Sequence, residues 1–318
     1  MLTTMLAAAM MLSPTSASLQ TPPATTAAEK AASYVRRVTA EDGTITVQTC
    51  ARKFTAAGKP DIWLVGVVHI GLADYYKSIQ ETLDAQDVVF YEGVRPSEKQ
   101  KAEAEAKAKE HASGGEAQES SKHLYVVFGE ALQLEFQNAH LSYKDPKFIN
   151  VDLSWDEMDA LNKKQQESGK GGGQYAMVQQ VMDPNSPMAK TMITLLQSPI
   201  PGFKDALKVF FVKQLGEENK MTQDAGFSEI ILNARNKVVE DKLAETFKQS
   251  QQPKSIGVIY GALHQPLFEK HLVDTYKYVP GETKWFAAAN ANPEKLDANG
   301  KRMLQMLESS TGAPGIGG

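Results

Sequence analysis

The sequence predicts an α/β domain with a largely parallel central sheet flanked by helices. Three observations support this. The first is a set of continuous apolar runs of strand length: "DIWLVGVV" (61–68), "DVVFYE" (87–92), "KFINVDLS" (147–154) and "SIGVIYGALH" (255–264). The second is helical spacing between them, as in Tyr76, Ile79 and Leu83. The third is an apolar share of 42% in 318 residues, enough to build a sizeable core. A strand apolar along its whole length is buried on both faces, as in a parallel sheet covered by helices.

Taken in order, "MLTTMLAAAMMLSPTSAS" has the layout of a secretory signal over residues 1–18. An apolar core from Met5 to Leu12, too short to span a bilayer, is followed by Pro14 and the small residues Ser16, Ala17 and Ser18. An exported protein, periplasmic or secreted, with no integral membrane span after signal removal, is the expectation. Residues 19–31, rich in Pro, Thr and Ala, read as a linker. "SYVRRVTAEDGTITVQTCARKF" reads as an N-terminal β-hairpin about Glu41-Asp42-Gly43. Cys50 is the only cysteine, so no internal disulfide can form, and its place in an alternating strand marks it as a small core residue.

The domain proper spans 32–290. Residues 97–122 form a charged low-complexity insertion with Glu103/Lys107 and Glu105/Lys109 at i,i+4, predicting a solvated helix that leaves His111 exposed. "HLYVVFGEALQLEFQNAHLSY" predicts one amphipathic helix, and Ser154 with Glu157 predicts a capping box. The "GKGGG" within 161–175 is read as a Gly-rich linker, because no apolar strand precedes it and no Lys-Ser/Thr follows, as a phosphate loop would require. Helical patterns return over 203–248, "SIGVIYGALH" is taken as the last strand, and 291–318 as a tail with a disordered end. The net charge of −4, without a basic cluster, excludes a nucleic-acid partner.

In parallel sheets, ligands bind at the carboxyl ends of the strands. Here those ends carry His69, Glu92, Asp152 and His264. Asp152 reads equally as a structural residue before the next helix. Glu92 is harder to explain structurally, since a carboxylate beside an apolar strand is costly to bury unless paired or coordinated. His69 and His264 both end a G-x-x-H. Two histidines and a carboxylate form a common shell for a divalent transition metal, and serve equally as a metal-free base, acid and orienting partner. His123, His140 and His271 are read as structural or surface residues, His271 lying two helical turns, about 10 Å, beyond His264.

"IWLVGVVHIGLADYYKSIQETLDAQDVVFYEGVRP", with Glu92 and the nearby Arg95, resembles the opening of the TraB/GumN/TIKI family. "ILNARNKVVEDKL", containing Arg235 and Asn236, resembles its helical Arg-Asn segment, and "SIGVIYGALHQPLFEKHL" its closing strand and helix. The resemblance implies an α/β core related to erythromycin-esterase-like and haem-binding ChaN-like proteins. It also implies a divalent ion (Mn, Co or Zn) held by His69, Glu92 and His264, which with Arg235 as anion clamp make up the catalytic set.

The expected function is that of a metal-dependent hydrolase acting on a peptide or small-molecule substrate. The alternatives are a metal-free esterase-like hydrolase and a non-catalytic haem, metal or peptide binder.

Overall fold

The computed structural model describes residues 33–112, 124–169, 173–183, 185–215 and 228–311. The expected signal segment, linker and extreme C-terminal end lie outside them, as does His123. The hairpin forms as the sequence predicts: β1 (Val35–Thr39) pairs antiparallel with β2 (Ile45–Thr55). Asp42 closes the turn, its carboxylate accepting bonds from the Thr44 N–H and hydroxyl, each 2.9 Å. β2 continues past β1 and pairs antiparallel with β3 (Asp61–Val67), so the hairpin is an extension of the main sheet.

From β3 the chain crosses a short strand β4 (Ile70–Gly71) into α1 (Ala73–Asp84), then β5 (Val88–Tyr91). The acidic and basic stretch becomes α2 (Glu98–Ala112), whose described side chains, 98–106, are exposed. The side chain of His111 lies beyond them. Next come α3 (Leu124–Leu132), β6 (Glu135–Phe136), the one-turn α4 (Gln137–His140), β7 (Phe148–Asn150) and α5 (Trp155–Glu167). The capping box at the start of α5 is present, with Ser154 and Glu157 bonding reciprocally.

Three helices follow: α6 (Gly173–Met182), α7 (Pro187–Leu196) and α8 (Phe203–Leu215). A π-helical segment, Ser228–Ala234, runs directly into α9 (Arg235–Thr246). Then come β8 (Ser255–Gly261), α10 (Gln265–Tyr276), β9 (Val279–Ala291) and α11 (Ala298–Thr311).

The fold is α/β, a mixed seven-stranded sheet flanked by helices. Its parallel part runs β3-β8-β5-β7, and β1, β2 and β9 extend it antiparallel. Successive residues of the apolar strands point to opposite sides. Val65 and Ile259 pack under α1 with Tyr75, Tyr76 and Ile79, while Leu64 and Val258 pack under α9 and α10 with Val239, Leu243 and Phe268. Each such side chain, buried completely, contributes about 1.5–3 kcal/mol, which explains runs with no polar position. A separate helical layer of α3, α7, α8 and α11 packs on the antiparallel end through Phe128, Phe211 and Leu307 against Val47 and Ala289. No described helix is long and apolar enough to cross a membrane.

Three sequence expectations are corrected. The single helix expected across "HLYVVFGEALQLEFQNAHLSY" breaks at Gln133, in the left-handed conformation at φ 55°, and the chain turns back into β6 and α4. Gly129 permits this, since the Leu134 N–H bonds its carbonyl at 2.9 Å and a Cβ on Gly129 would lie 2.7 Å from the Leu134 oxygen. Within the expected linker at 161–175, residues through Glu167 are helical and α6 starts at Gly173. Finally, "SIGVIYGALH" is not the last strand: β9 follows along β2, and α11 makes half of the expected tail a packed helix. Largely exposed residues over 279–284 hide β9, which is buried only towards its end.

Gly129→Ala should destabilise the protein by about 1–3 kcal/mol through overpacking against Leu134. Urea denaturation measures this, and an unchanged midpoint would contradict the described turn.

Candidate functional site

The topology inserts β8 between β3 and β5, so the chain segments leaving three adjacent strands carry His69, His264 and Glu92, and β7 adds Asp152 beside them. Arg235 enters from the start of α9, where the π-helical segment ends. Its Nε donates to Asp152 Oδ1 at 2.9 Å. Its Nη2 donates to Asp152 Oδ2 and to Glu92 Oε1, each at 2.7 Å. The three side chains are 0–9% exposed, so this is a buried charge triad.

The two carboxylates differ in how fully they are satisfied. Asp152 accepts two bonds from Arg235 and one each from the Gly93 and Leu153 N–H groups, at 2.9 and 2.8 Å. Those four bonds fill a carboxylate's usual accepting capacity. Glu92 accepts from Arg235 on Oε1 and from the Gly261 N–H on Oε2 at 2.5 Å, which leaves lone pairs on both oxygens. The sequence left Asp152 evenly divided between structure and site. Its saturated oxygens make it the anchor for Arg235, with Glu92 the carboxylate able to take a further partner.

His264 is almost fully buried and is held twice by Asn236. The Asn236 Nδ2 donates to the His264 carbonyl at 3.5 Å, and Oδ1 lies 2.5 Å from Nδ1. A carbonyl can only accept, which fixes the amide's orientation, so its oxygen accepts from Nδ1–H. The Nε2 of His264 therefore carries a lone pair, and it faces Glu92 Oε1 at 3.8 Å. Tyr260 packs edge-on against the ring and its hydroxyl donates to the Val151 carbonyl.

His69 is partly buried. Its Nδ1 lies 3.1 Å from Gln137 Oε1 and its ring packs against Tyr125 at 5.6 Å. It interacts electrostatically with both Glu92 and His264.

Burial pushes the Glu92 carboxyl up, but Arg235, then His264, His69 and the Gly261 N–H, outweigh this and hold it at about 2. Burial lowers His264 to about 4, against the pull of Glu92. Burial also works against the charge of Arg235, but Glu92 and Asp152 hold its pKa well above the ordinary value. At neutral pH the site contains a carboxylate, a guanidinium and a neutral His264.

The structure brings Glu92, Arg235 and His264 into one bonded or facing cluster, with His69 beside it. It places Arg95 elsewhere, on the Asp152 carbonyl at 3.0 Å and on Glu157 at 2.7 Å, bracing the start of α5. His140 lies near Glu135, and His271 near Glu240 at 3.6 Å. Cys50 is buried in the core, its thiol pushed up to about 12 by burial. Sequence reasoning assigned no role to Gln137, Asn236 or the Gly261 N–H. Gln137 opens the one-turn α4, after a break at Gln133 that the helical pattern does not signal.

Charged side chains gathered at the carboxyl edge of a helix-flanked mixed sheet define an α/β protein with a buried ionic site. Comparison with protein-family models, curated proteins and solved structures finds no match for this chain. Among the described residues, no three His, Cys, Asp or Glu side chains are set to hold an ion as they stand.

The signs of the carboxyl and imidazole shifts give a pH prediction. His264 has a folded value near 4, below its ordinary 6.5, so its contribution to stability is complete above 6.5 and is lost as pH falls towards 4. Glu92, at about 2 against 4.5, contributes above 4.5 and loses that contribution as pH falls towards 2. Urea midpoints across pH should fall in both windows, and His264→Gln should flatten the upper one. Equal slopes in variant and parent between pH 6.5 and 4 would contradict the assignment to His264.

Proposed function

We propose that the chain is a metal-dependent hydrolase of the TraB/GumN/TIKI kind, with a peptide amide bond as its leading substrate. The order of motifs in the sequence supports the family reading, and the substrate class rests on that resemblance.

One observation carries the metal reading. The His264 Nε2 lone pair and the ionised Glu92 Oε1 face each other at 3.8 Å, with the ring proton committed to Asn236 on the far side. Both atoms retain electron pairs that an electron-poor partner would satisfy. The donor types fit: neutral imidazole and ionised carboxylate are the forms that ligate divalent transition metals. His264 and His69 would hold the ion through imidazole nitrogens and Glu92 through Oε1. When bound, a divalent ion such as Mn, Co or Zn supplies Lewis acidity and brings the pKa of a water towards neutrality.

The residues of the chain then divide the work. Glu92, held near 2, is a weak proton acceptor, which favours charge and ligation over general-base duty. Arg235 has Nε and Nη2 committed to Asp152 and Glu92, so it acts as a positioning residue that keeps Glu92 ionised and aimed. His264, at about 4, is likewise a poor base, which weighs against the metal-free esterase-like reading in which it activates water. Export of the protein belongs to the same proposal.

The test is metal analysis of the purified protein beside His69→Ala/His264→Ala, with hydrolysis of a peptide library before and after chelation. One ion per chain is expected in the parent and none in the double variant, with activity falling on the order of 10²-fold or more on chelation, as befits loss of the group that activates water. Cleavage that survives complete metal removal would favour the metal-free reading. Cleavage unaffected by the double substitution would sink both histidine-based mechanisms.

A further inference from the structure

His69 is gripped in the same way as His264, by a different part of the fold. The Gln137 backbone N–H donates to the His69 carbonyl at 2.9 Å, and Gln137 Oε1 lies 3.1 Å from His69 Nδ1. The Gln137 Nε2 donates to the Tyr143 hydroxyl at 2.8 Å, which leaves the amide oxygen for the ring. Tyr143 in turn stacks on Tyr91, centroids 4.4 Å apart, and Tyr91 immediately precedes Glu92. Gln137 is 4% exposed, so water does not compete for these bonds. Each histidine is therefore held at its backbone carbonyl and at Nδ1 by one amide residue: Asn236 from α9 for His264, and Gln137 from the β6–α4 turn for His69.

We propose that Gln137, aimed by Tyr143, is a positioning residue that fixes His69 as its Nδ1–H tautomer, so that both histidines present a bare Nε2 to the same site. A metal-binding histidine is oriented by the bond its other nitrogen donates, and losing that partner typically costs 10–100-fold in ion affinity. The proposal rests on the hydrolase reading only for its consequence in ion uptake, because the tautomer is a property of the ion-free chain. It also gives the break at Gln133 a purpose: a continuous helix through 123–143 would not bring the Gln137 amide N–H and side chain back onto His69.

The experiment is two-bond ¹H–¹⁵N correlation spectroscopy of the full chain labelled at histidine, stripped of metal and held in mildly alkaline buffer. His69→Ala and His264→Ala assign the signals. The expected result is protonated Nδ1 and bare Nε2 for both rings. Gln137→Leu should release His69 alone, giving mixed or Nε2–H character with His264 unchanged. Tyr143→Phe should do so in part, and Gln137→Glu, which still accepts from Nδ1–H, should restore the parent pattern. Titration with Zn²⁺ should be about 10–100-fold weaker for Gln137→Leu than for the parent.

An Nε2–H tautomer at His69 in the parent, or an unchanged His69 in folded Gln137→Leu, overturns the proposal; should that variant fail to fold, the parent and Gln137→Glu spectra decide. Predicted tautomers with no Zn²⁺ uptake would uphold the positioning role and count against the metal reading. Zn²⁺ uptake with the opposite tautomer would do the reverse.

Discussion

The Arg235 guanidinium, bonded to Asp152 and Glu92 out of water, is the interaction on which the rest of the site depends. Burying three charges is expensive, and here the cost is offset by charge-assisted bonds from Arg235 to both carboxylates and by backbone N–H groups on Asp152 and Glu92. Asp152 is closed off by four bonds. It secures Arg235, which leaves the second acceptor of the guanidinium, Glu92, ionised and partly unsatisfied. The triad carries one net negative charge, beside two imidazoles.

Sheet order supplies the geometry. The strand latest in sequence among the parallel four, β8, is threaded between β3 and β5. Its Gly261 N–H meets Glu92 from the neighbouring strand end, and His264 follows within the same turn. Register in a parallel sheet thus becomes proximity among residues far apart in sequence. Both histidines are then tied by amide side chains from elements outside the four parallel strands, so orientation is imposed from the helical layers onto the sheet edge.

Much of this was legible in the sequence, for physical reasons. Runs such as "LVGVV" and "GVIYG" must be buried on both faces, so they identify parallel strands and, with them, the edge where His69, Glu92, Asp152 and His264 fall. The capping box at Ser154 is local chemistry and was equally plain. What the sequence concealed depends on tertiary packing. The turn at Gln133 interrupts a good helical pattern because Gly129 lets the chain fold back, and no periodicity signals that. β9 has few buried positions in its first half and is held by pairing with β2. The commitment of Arg235 to two carboxylates depends on α9 meeting two strand ends at once.

The claim that Arg235 and Asp152 act as one unit under Glu92 is tested most directly by a double-mutant cycle of Arg235→Met and Asp152→Leu, read by urea denaturation. Removing Arg235 alone leaves two buried carboxylates without their cation and should cost about 3–5 kcal/mol, and removing Asp152 alone leaves the Arg235 Nε–H without its acceptor and should cost about 1–3 kcal/mol. The double variant should cost clearly less than the sum, with a coupling on the order of 1–3 kcal/mol. Additive losses would contradict the account, for they would mean that neither charge needs the other to be buried.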